Sequence, residues 1–425
     1  MQLQLKTLLN YVYPIKGFVY HDVQLVRFRG PRTARVAQIE ATLKERQGSR
    51  PRCGQCAKVG TCYDHQPERR FEFVPLWGML VFLLYRPRRV DCKGCGIRVE
   101  AIPWAQGKSA MTTALMCFLA TWAKRLSWRD VARSFGSTWD NVYRAVTWVV
   151  EYGLEHRDLS GITAIGVDEV QYRKGQKYLT LVYQIDAGCR RLLWIGKDRK
   201  QRTLKAFFRW FGKRRSAALL FVCSDMWRPY INVVRRFASA ALHVLDRFHV
   251  AMNLNKAVDQ TRRKEAAEFR RKGDNVTLKH TRWCLLKRVK NLTTRQHGRL
   301  RELLKLNLRI VRAYLLKEDF DHFWQYSSPA FAGNFLDRWC KTAAASRIEA
   351  MQRMARTLQS HRELLLNYFR AKKEYSSGVV EGLNNKVKVV TRRSYGFRKL
   401  KTLQIALFHT LGRLPEPEQT HRFDG

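Results

Sequence analysis

Two kinds of side chain in this sequence are spaced as chemistry would need them. Cys53-Gly-Gln-Cys56 and Cys92-Lys-Gly-Cys95 are Cys-x-x-Cys pairs, each with a glycine beside its cysteines. Glycine permits the tight turn that brings two sulfurs onto one ion, and four thiolates in this pattern suit tetrahedral Zn²⁺. The pairs are separated by 35 residues (57 to 91), and the strand-like segments 71–76 and 79–85 between them could form a ribbon closing that loop. Cys62 and His65 also lie between the pairs and could substitute as ligands, but they lack the paired geometry. Against this stands the plain reading of unligated thiols in turns; isolated cysteines, however, favour burial over Gly- and Lys-rich turns.

The second kind is acidic. Asp168 closes the apolar run ITAIGVDEV at 162–170. In a strand the side-chain period of two puts Asp168 on the face of Gly166, with Ile165 and Val167 pointing the other way into a core. Taken alone, such an acid is most simply a strand-end residue reaching solvent. Two further acids alter that reading: Asp225, just past the apolar run in ALLFVCSDMWRPY, and Glu381, in the basic stretch SSGVVEGLNNKVKVVTRR. Asp225 could equally cap a helix, since Pro229 suits a first turn, and the two roles are compatible. Glu381 falls on a helix begun near Ser376 or Ser377, with Asn384, Asn385 and Lys388 on its face.

Carboxylates from separate segments are the hard ligands that Mg²⁺ or Mn²⁺ prefers. Two such ions roughly 4 Å apart can stabilise both the attacking and the leaving oxygen of a phosphodiester displacement.

Composition favours a nucleic-acid partner. Lys+Arg 80 against Asp+Glu 35 gives a net charge of +45 over 425 residues, so the expected partner is a polyanion. The length fits two to four domains, and 45% apolar content is enough for sizeable cores. A ribosomal protein would share the charge but is seldom this long or this rich in tryptophan. The longest apolar runs, 76–85 and 114–123, are about half the ~18–20 residues of a membrane span. The N-terminus lacks the pattern of a signal peptide. A cytosolic protein is expected, attached to no membrane, its ten cysteines held as thiols or metal ligands.

The elements that position these residues follow in order. Residues 1–50 suggest a strand at 23–28 and a helix at 34–46. Beyond Pro103-Trp104, helices are expected at 110–124, 127–135 and 138–151, with Ser127 as one cap, Ser137 or Thr138 as the next, and Gly136 in the turn between the last two. That is the layout of a helix-turn-helix, whose second helix would offer Trp139, Asn141 and Arg144 to a major groove, with Arg133 from the helix before it. Any three-helix bundle with a short turn reads alike.

Strands at 162–170, 178–185, 190–196, 217–223 and 241–245, with helices at 202–212 and 228–238, describe a mixed sheet with an antiparallel edge. The crevice of such a sheet lies beyond the carboxyl ends of its strands, where Asp225 falls. Residues 250–374 look helical, with Leu304, Leu308, Val311 and Leu315 as one apolar stripe. A last helix carries Leu400, Leu403, Leu407 and Leu411 and stops at Gly412, and the tail beyond is expected to be loose.

Taken together, GVDE, SDMW, the helical insertion, and VVEGLNNKVK followed by RRSYGF resemble the DDE transposases of bacterial insertion sequences, closest to the ISL-three family. The resemblance spans nearly the whole chain, since that family also begins with a four-cysteine zinc module and a helix-turn-helix. It implies an α/β multidomain protein with an RNase H-like mixed-sheet catalytic domain and an all-helical insertion. The implied boundaries are 1–104 for the N-terminal zinc-bearing region and 105–157 for the helix-turn-helix. The catalytic domain takes 158–250 and 375–412, with the insertion at 251–374 and the tail at 413–425.

The implied triad is Asp168, Asp225 and Glu381, with Asp168 bridging two Mg²⁺ or Mn²⁺ ions. Asp246-Arg-Phe-His249 matches a D-x-x-H pair near the active site of related transposases, although a satisfied core histidine would look the same. The first Cys-x-x-Cys lacks the proline associated with the family's knuckle. Lys386, Lys388, Arg392 and Arg393 would hold DNA phosphates.

The implied activity is metal-dependent cleavage and strand transfer at the terminal inverted repeats of an insertion sequence, into target DNA, by a homodimer or larger assembly on double-stranded DNA. Two other readings share most of these features: a zinc-containing DNA-binding regulator without the chemistry, and a nuclease of the same fold.

Overall fold

The computed structural model describes residues 4–29, 35–173, 175–274, 276–373, 378–394 and 396–418. Its contacts divide the chain into two units, residues 1–158 with 387–425, and residues 159–386.

The first unit opens with α1 (Leu5–Val12), followed by β1 (Phe18–Arg29) and β2 (Arg35–Glu45). Residues 34–46 were expected to be helical, and β2 corrects that. Ile39, Ala41 and Leu43 are buried at period two, the period of a strand. β2 lies between two partners, antiparallel to β1 and parallel to a later strand, so its backbone groups are satisfied in a sheet. Tertiary pairing outweighs a helix-tolerant local composition here.

Next come β3 (Thr61–His65), β4 (Arg69–Leu76), β5 (Met79–Tyr85), β6 (Arg88–Cys92) and β7 (Gly96–Val99). They form two sheets: β1-β2-β5-β4, and the small β3-β6-β7. The hairpin β4–β5 therefore belongs to the larger sheet, and the ribbon beside the cysteines is β3-β6-β7. Trp104, fully buried, meets Phe18, Phe71 and Tyr85 edge-on at centroid distances of 4.9, 5.9 and 5.3 Å, closing the larger sheet's core. Beneath it the Arg88 guanidinium donates to Glu100 Oε2 (Nη2 2.7 Å, Nε 3.0 Å), while the Arg88 amide and the Tyr85 hydroxyl donate to Oε1 at 2.7 and 2.5 Å. Every lone pair of a buried charge is thus occupied, the condition under which burying it is tolerable.

Three helices follow: α2 (Thr113–Ala123), α3 (Trp128–Ser134) and α4 (Trp139–His156). The hydroxyls of Thr112, Ser127 and Thr138 accept from the amides of Leu115, Asp130 and Asn141, each satisfying an orphan donor of a first turn. Gly136, at φ 62°, makes the turn between α3 and α4 as expected.

The second unit is built on the sheet β10-β9-β8-β11-β12. β8 (Ala164–Arg173), β9 (Lys177–Asp186) and β10 (Cys189–Lys197) run antiparallel, and β11 (Phe221–Ser224) and β12 (Leu242–Leu245) continue parallel to β8. Between β10 and β12 lie α5 (Gln201–Phe211), α6 (Lys213–Ala217) and α7 (Arg228–Phe237). Ile165, Val167, Val182 and Leu193 pack against Leu204, Phe207, Phe208 and Phe211 of α5 and Tyr230, Val233 and Val234 of α7. Each large side chain buried there contributes roughly 1.5–3 kcal/mol.

From α8 (Arg247–Arg271) the chain turns helical, through α9 (Arg282–Leu286), α10 (Thr294–Leu304), α11 (Arg309–Phe320), α12 (Pro329–Ala345), α13 (Glu349–Ser360) and α14 (Arg362–Arg370). The expected stripe through Leu304, Leu308, Val311 and Leu315 forms only at its middle. The helix breaks between Leu304 and Arg309, which resets its phase: Leu304 and Leu315 are exposed, whereas Leu308 packs against the core and Val311 is buried with Ile310, Ala313 and Tyr314.

α15 (Gly378–Arg393) returns to the sheet and α16 (Leu400–Leu411) follows it. The division between units falls within α15, and α16 packs on α4 of the first unit. The segment 375–412, expected in the catalytic domain, spans this division. The buried face of α16, including Leu403, Leu407 and Leu411, gave no hint of which core it would join.

Candidate active site and zinc centre

The zinc centre assembles at one end of the β3-β6-β7 sheet. Cys53 and Cys56 flank a turn closed by the bond from the Ala57 amide to the Cys53 carbonyl (2.9 Å), and Cys92 and Cys95 flank another, closed from Cys95 to Cys92 (3.2 Å). A Cβ on Gly54 would stand 2.5 Å from the Val99 carbonyl oxygen, so only glycine lets the first turn seat against β7. All four sulfurs lie within 4.8 Å of one another. The amides of Cys56 and Gln55 point at Cys53 and hold its thiol down to about 7, towards the thiolate a metal requires. A closed set of four sulfurs fits zinc in number and in chemistry. Cys62 and His65 stand outside this quartet. Cys62 donates to the Asp64 carbonyl, and His65 lies 3.9 Å from Glu45.

In the second unit, acids gather just beyond the ends of β11 and β12, beside the middle of β8. Asp168 lies on β8, Asp225 immediately follows β11, and Asp246 follows β12 as the N-cap of α8, accepting from the Phe248 amide at 2.6 Å. One turn into α8, His249 Nε2 stands 3.8 Å from Asp168 Oδ1 and 3.7 Å from Asp246 Oδ2. Burial pushes the Asp168 carboxyl up; the Glu169 amide and His249 pull against it, while Asp246 and Asp225 reinforce it. On the other side of β8, Glu169 is held up to about 8, by burial first and by Asp225 second.

Arg199 bridges this group, with Nη2 at 3.0 Å from Asp225 Oδ2 and Nε at 3.3 Å from Glu169 Oε1. Sequence reading missed both Glu169 and Arg199. Glu169 sits next to a singled-out acid, but the alternation of a strand assigns it to the opposite face, and nothing local marks Arg199 among 80 basic residues.

Helix α15 brings its face to the same place. A Cβ on Gly166 would stand 2.5 Å from Val380 Cγ2, so the absent side chain is what lets α15 approach β8. Asn384 Nδ2 then donates to Asp168 Oδ2, and the buried Tyr183 hydroxyl donates to Asn384 Oδ1 at 2.7 Å. With Oδ1 committed to a hydroxyl, the amide is oriented with its donor towards Asp168. Glu381 is exposed on α15, one turn ahead of Asn384, and Lys386, Lys388 and Arg392 are exposed farther along.

Among the described residues, only the cysteine quartet brings three or more potential ligand atoms as close as 4.8 Å, so the acids stand more openly than the sulfurs do. Their donors are nevertheless hard carboxylate oxygens, and Glu169 Oε1 is buried with no well-aligned hydrogen bond. Among the described residues, Arg199 and His249 are the basic side chains within 4 Å of these carboxyls. This donor set fits a divalent cation of the Mg²⁺ class.

Two DNA-contact expectations meet different surroundings. The Arg393 guanidinium donates through Nη1 and Nη2 to the carbonyls of Ala123, Lys124 and Arg125 (3.5, 2.8 and 3.0 Å) at the end of α2. Asn141 donates to Glu72 Oε2 (3.4 Å) and Ser137 Oγ (3.3 Å). Trp139 is exposed and stacks on Tyr143 at 5.4 Å and 5°, and Arg144 is exposed beside it.

Residues 165–407 match the family model of the ISL-three (ISL3) DDE transposases, described as transposase, and residues 49–95 match one described as the zinc-finger of transposase IS204/IS1001/IS1096/IS1165. The chain is similar to the transposase for insertion sequence element IS1001 of Bordetella parapertussis, with 29% identity over 349 residues, 81% of this chain and 85% of the relative. It is also similar to the transposase for IS1557 of Mycobacterium tuberculosis, with 28% identity over 417 residues, 89% of this chain and 90% of the relative. With the cysteine quartet inside the zinc-finger match and the gathered acids inside the larger one, the chain belongs to the ISL-three family of DDE transposases.

Proposed function

We propose that this transposase binds the terminal inverted repeats of an insertion sequence through its N-terminal region and cleaves and joins DNA at Asp168, Asp225 and Glu381. The observation carrying the reading is the bond from Asn384 to Asp168, which ties the helix bearing Glu381 to the strand bearing Asp168, beside Asp225 at the end of β11. Asp168 and Asp225, far apart in sequence, stand close enough to influence one another on one mixed sheet, and α15 carries Glu381 past that sheet; this supports an RNase H-like reading of the second unit.

A pair of Mg²⁺ or Mn²⁺ ions held by these carboxylates would activate the attacking oxygen and stabilise the leaving one. The residues themselves position the reaction. Asp225 is fixed through Oδ1 by the Trp227 amide at 3.0 Å, which leaves Oδ2 to face the site. Asp246 and His249 form its wall. Lys386, Lys388 and Arg392 follow Glu381 along α15 and would neutralise phosphates leading to the acids.

The capped pair α3–α4 with its glycine turn supports a helix-turn-helix reading, in which exposed Trp139 and Arg144 meet DNA and Asn141 braces the helix. Residues 1–104, 105–157 and 251–374 retain their roles as zinc-bearing region, helix-turn-helix and helical insertion. A dimer or larger assembly on paired ends, in the bacterial cytosol, completes the proposal; among the described residues, no helix is long and apolar enough to cross a membrane.

The test is incubation of the full chain with linear DNA carrying the element's own ends. Cleavage at those ends with Mg²⁺ or Mn²⁺, abolished by EDTA and by Asp168→Asn, is expected. End binding without cleavage under all metal conditions would favour a regulator, and cleavage without any joining would favour a nuclease.

A further inference from the structure

Arg199 occupies the place where the acids of this site face their counter-charge. It lies between β10 and α5, and its guanidinium forks across two carboxylates that the triad reading treats differently: Asp225, an assigned ligand, and Glu169, which has no assigned role. Asp225 is clamped on its far oxygen by the Trp227 amide, so Oδ2, the atom Arg199 holds at 3.0 Å, is the one left to accept a cation. The guanidinium also lies over the Trp227 ring, 5.0 Å from its centroid, which gives it a flat apolar rest. Glu169 is almost wholly buried and Asp225 nearly so, whereas the Arg199 side chain is 38% exposed. The acids are therefore fixed, and the cation between them is the one partner with room to leave.

Resting on the reading of Asp225 as a metal ligand, we propose that Arg199 is a stand-in for the dication: it neutralises Asp225 in the metal-free enzyme and must release Oδ2 before a metal ion can bind. Glu169 then has a function. It keeps the guanidinium beside the site through Nε when Nη2 lets go, so the arginine remains poised to return. Because Arg199 and the metal compete for one oxygen, removing the arginine strengthens metal binding, whereas generic damage to the site can only weaken it.

The experiment is titration of the full-length protein with Mn²⁺ alone, free ion being counted by its electron paramagnetic resonance signal. It compares wild type, Arg199→Gln, Arg199→Lys and Asp225→Asn. Arg199→Gln is expected to bind Mn²⁺ about fivefold more tightly, the size of effect that losing a partly exposed ion pair produces. Arg199→Lys, which keeps a cation but loses the two-carboxylate fork, falls between wild type and Arg199→Gln, and Asp225→Asn binds more weakly. If Arg199→Gln does not fold, Arg199→Lys against wild type decides the question in the same direction. Unchanged or weaker binding in the arginine variants, with wild type and Asp225→Asn behaving as expected, overturns the role of Arg199 and leaves the acid centre standing. No Mn²⁺ bound by wild type overturns the acid centre and this inference together.

Discussion

Replacing Gly166 with alanine tests the contact on which the geometry of the site depends. The new methyl would stand 2.5 Å from Val380 Cγ2 and 3.3 Å from Ile185 Cγ2, where carbon atoms ordinarily rest ~3.5–4.0 Å apart. Either α15 retreats from β8 by roughly 1 Å or Val380 leaves its rotamer, and overpacking of this kind costs about 1–3 kcal/mol. Val380→Ala alone removes two buried methyl groups, about 1.6 kcal/mol at ~0.8 kcal/mol for each. In the double variant the new methyl occupies the vacated space. Gly166→Ala/Val380→Ala is therefore expected to be more stable than the sum of the single losses by about 1 kcal/mol or more, as read from urea unfolding. The single Gly166→Ala change should also draw Asn384 away from Asp168 and depress cleavage while end binding persists. Additivity within about 0.5 kcal/mol, with cleavage intact, would refute the claim that α15 is seated on β8 through this glycine.

Zinc analysis should find about one ion per chain, and Cys92→Ser combined with Cys95→Ser should abolish it, since two thiolates cannot close a structural site; unchanged zinc in that variant would remove the assignment. Glu100→Gln leaves the buried Arg88 charge with only the partly exposed Glu45, 3.6 Å away, as counter-ion, so a loss of about 2–4 kcal/mol is expected from urea unfolding, and a loss below 1 kcal/mol would contradict the buried pairing. Burial holds the His243 imidazole down to about 4, whereas an unfolded histidine titrates near ~6.5. The folded value is the lower, so the unfolded chain takes up the proton first, and stability falls as pH drops from about 6.5 towards about 4, by at most ~3 kcal/mol. His243→Gln should flatten that part of the profile; an unaltered slope would place its origin elsewhere. End binding should weaken by roughly 10³ or more between 50 and 200 mM salt if about six phosphates are contacted, and a nearly flat titration would rule out that footprint.

What the sequence revealed and what it hid divides along the range of the interactions. The two cysteine pairs were legible because zinc ligation is written in local spacing, and the quartet forms from those residues. The order of strands and helices across 162–250 was legible because strand and helix periods differ, and Ile165 and Val167 face the core as that period requires. Arg199 was not legible, since its meaning depends on a fork between Glu169 and Asp225 brought together only by the fold. β2 misled because its pairing partners lie outside it. Arg393, singled out for its place in a basic stretch, also donates to the end of a helix 270 positions earlier in the chain, a contact that no local pattern announces. Glu374, another acid seven residues before Glu381, lies outside the described residues.

The most direct measurement of the central claim is strand transfer of pre-cleaved element ends into a target plasmid, with end binding measured on the same samples. Wild type, Asp168→Asn, Asp225→Asn and Glu381→Gln are compared in Mn²⁺. Each amide is nearly isosteric but removes a charge that a dication needs. The account predicts that all three variants bind the ends as wild type does and join none of them. A Glu381→Gln protein that joins ends at the wild-type rate would contradict the triad and make Glu374 the next acid to test.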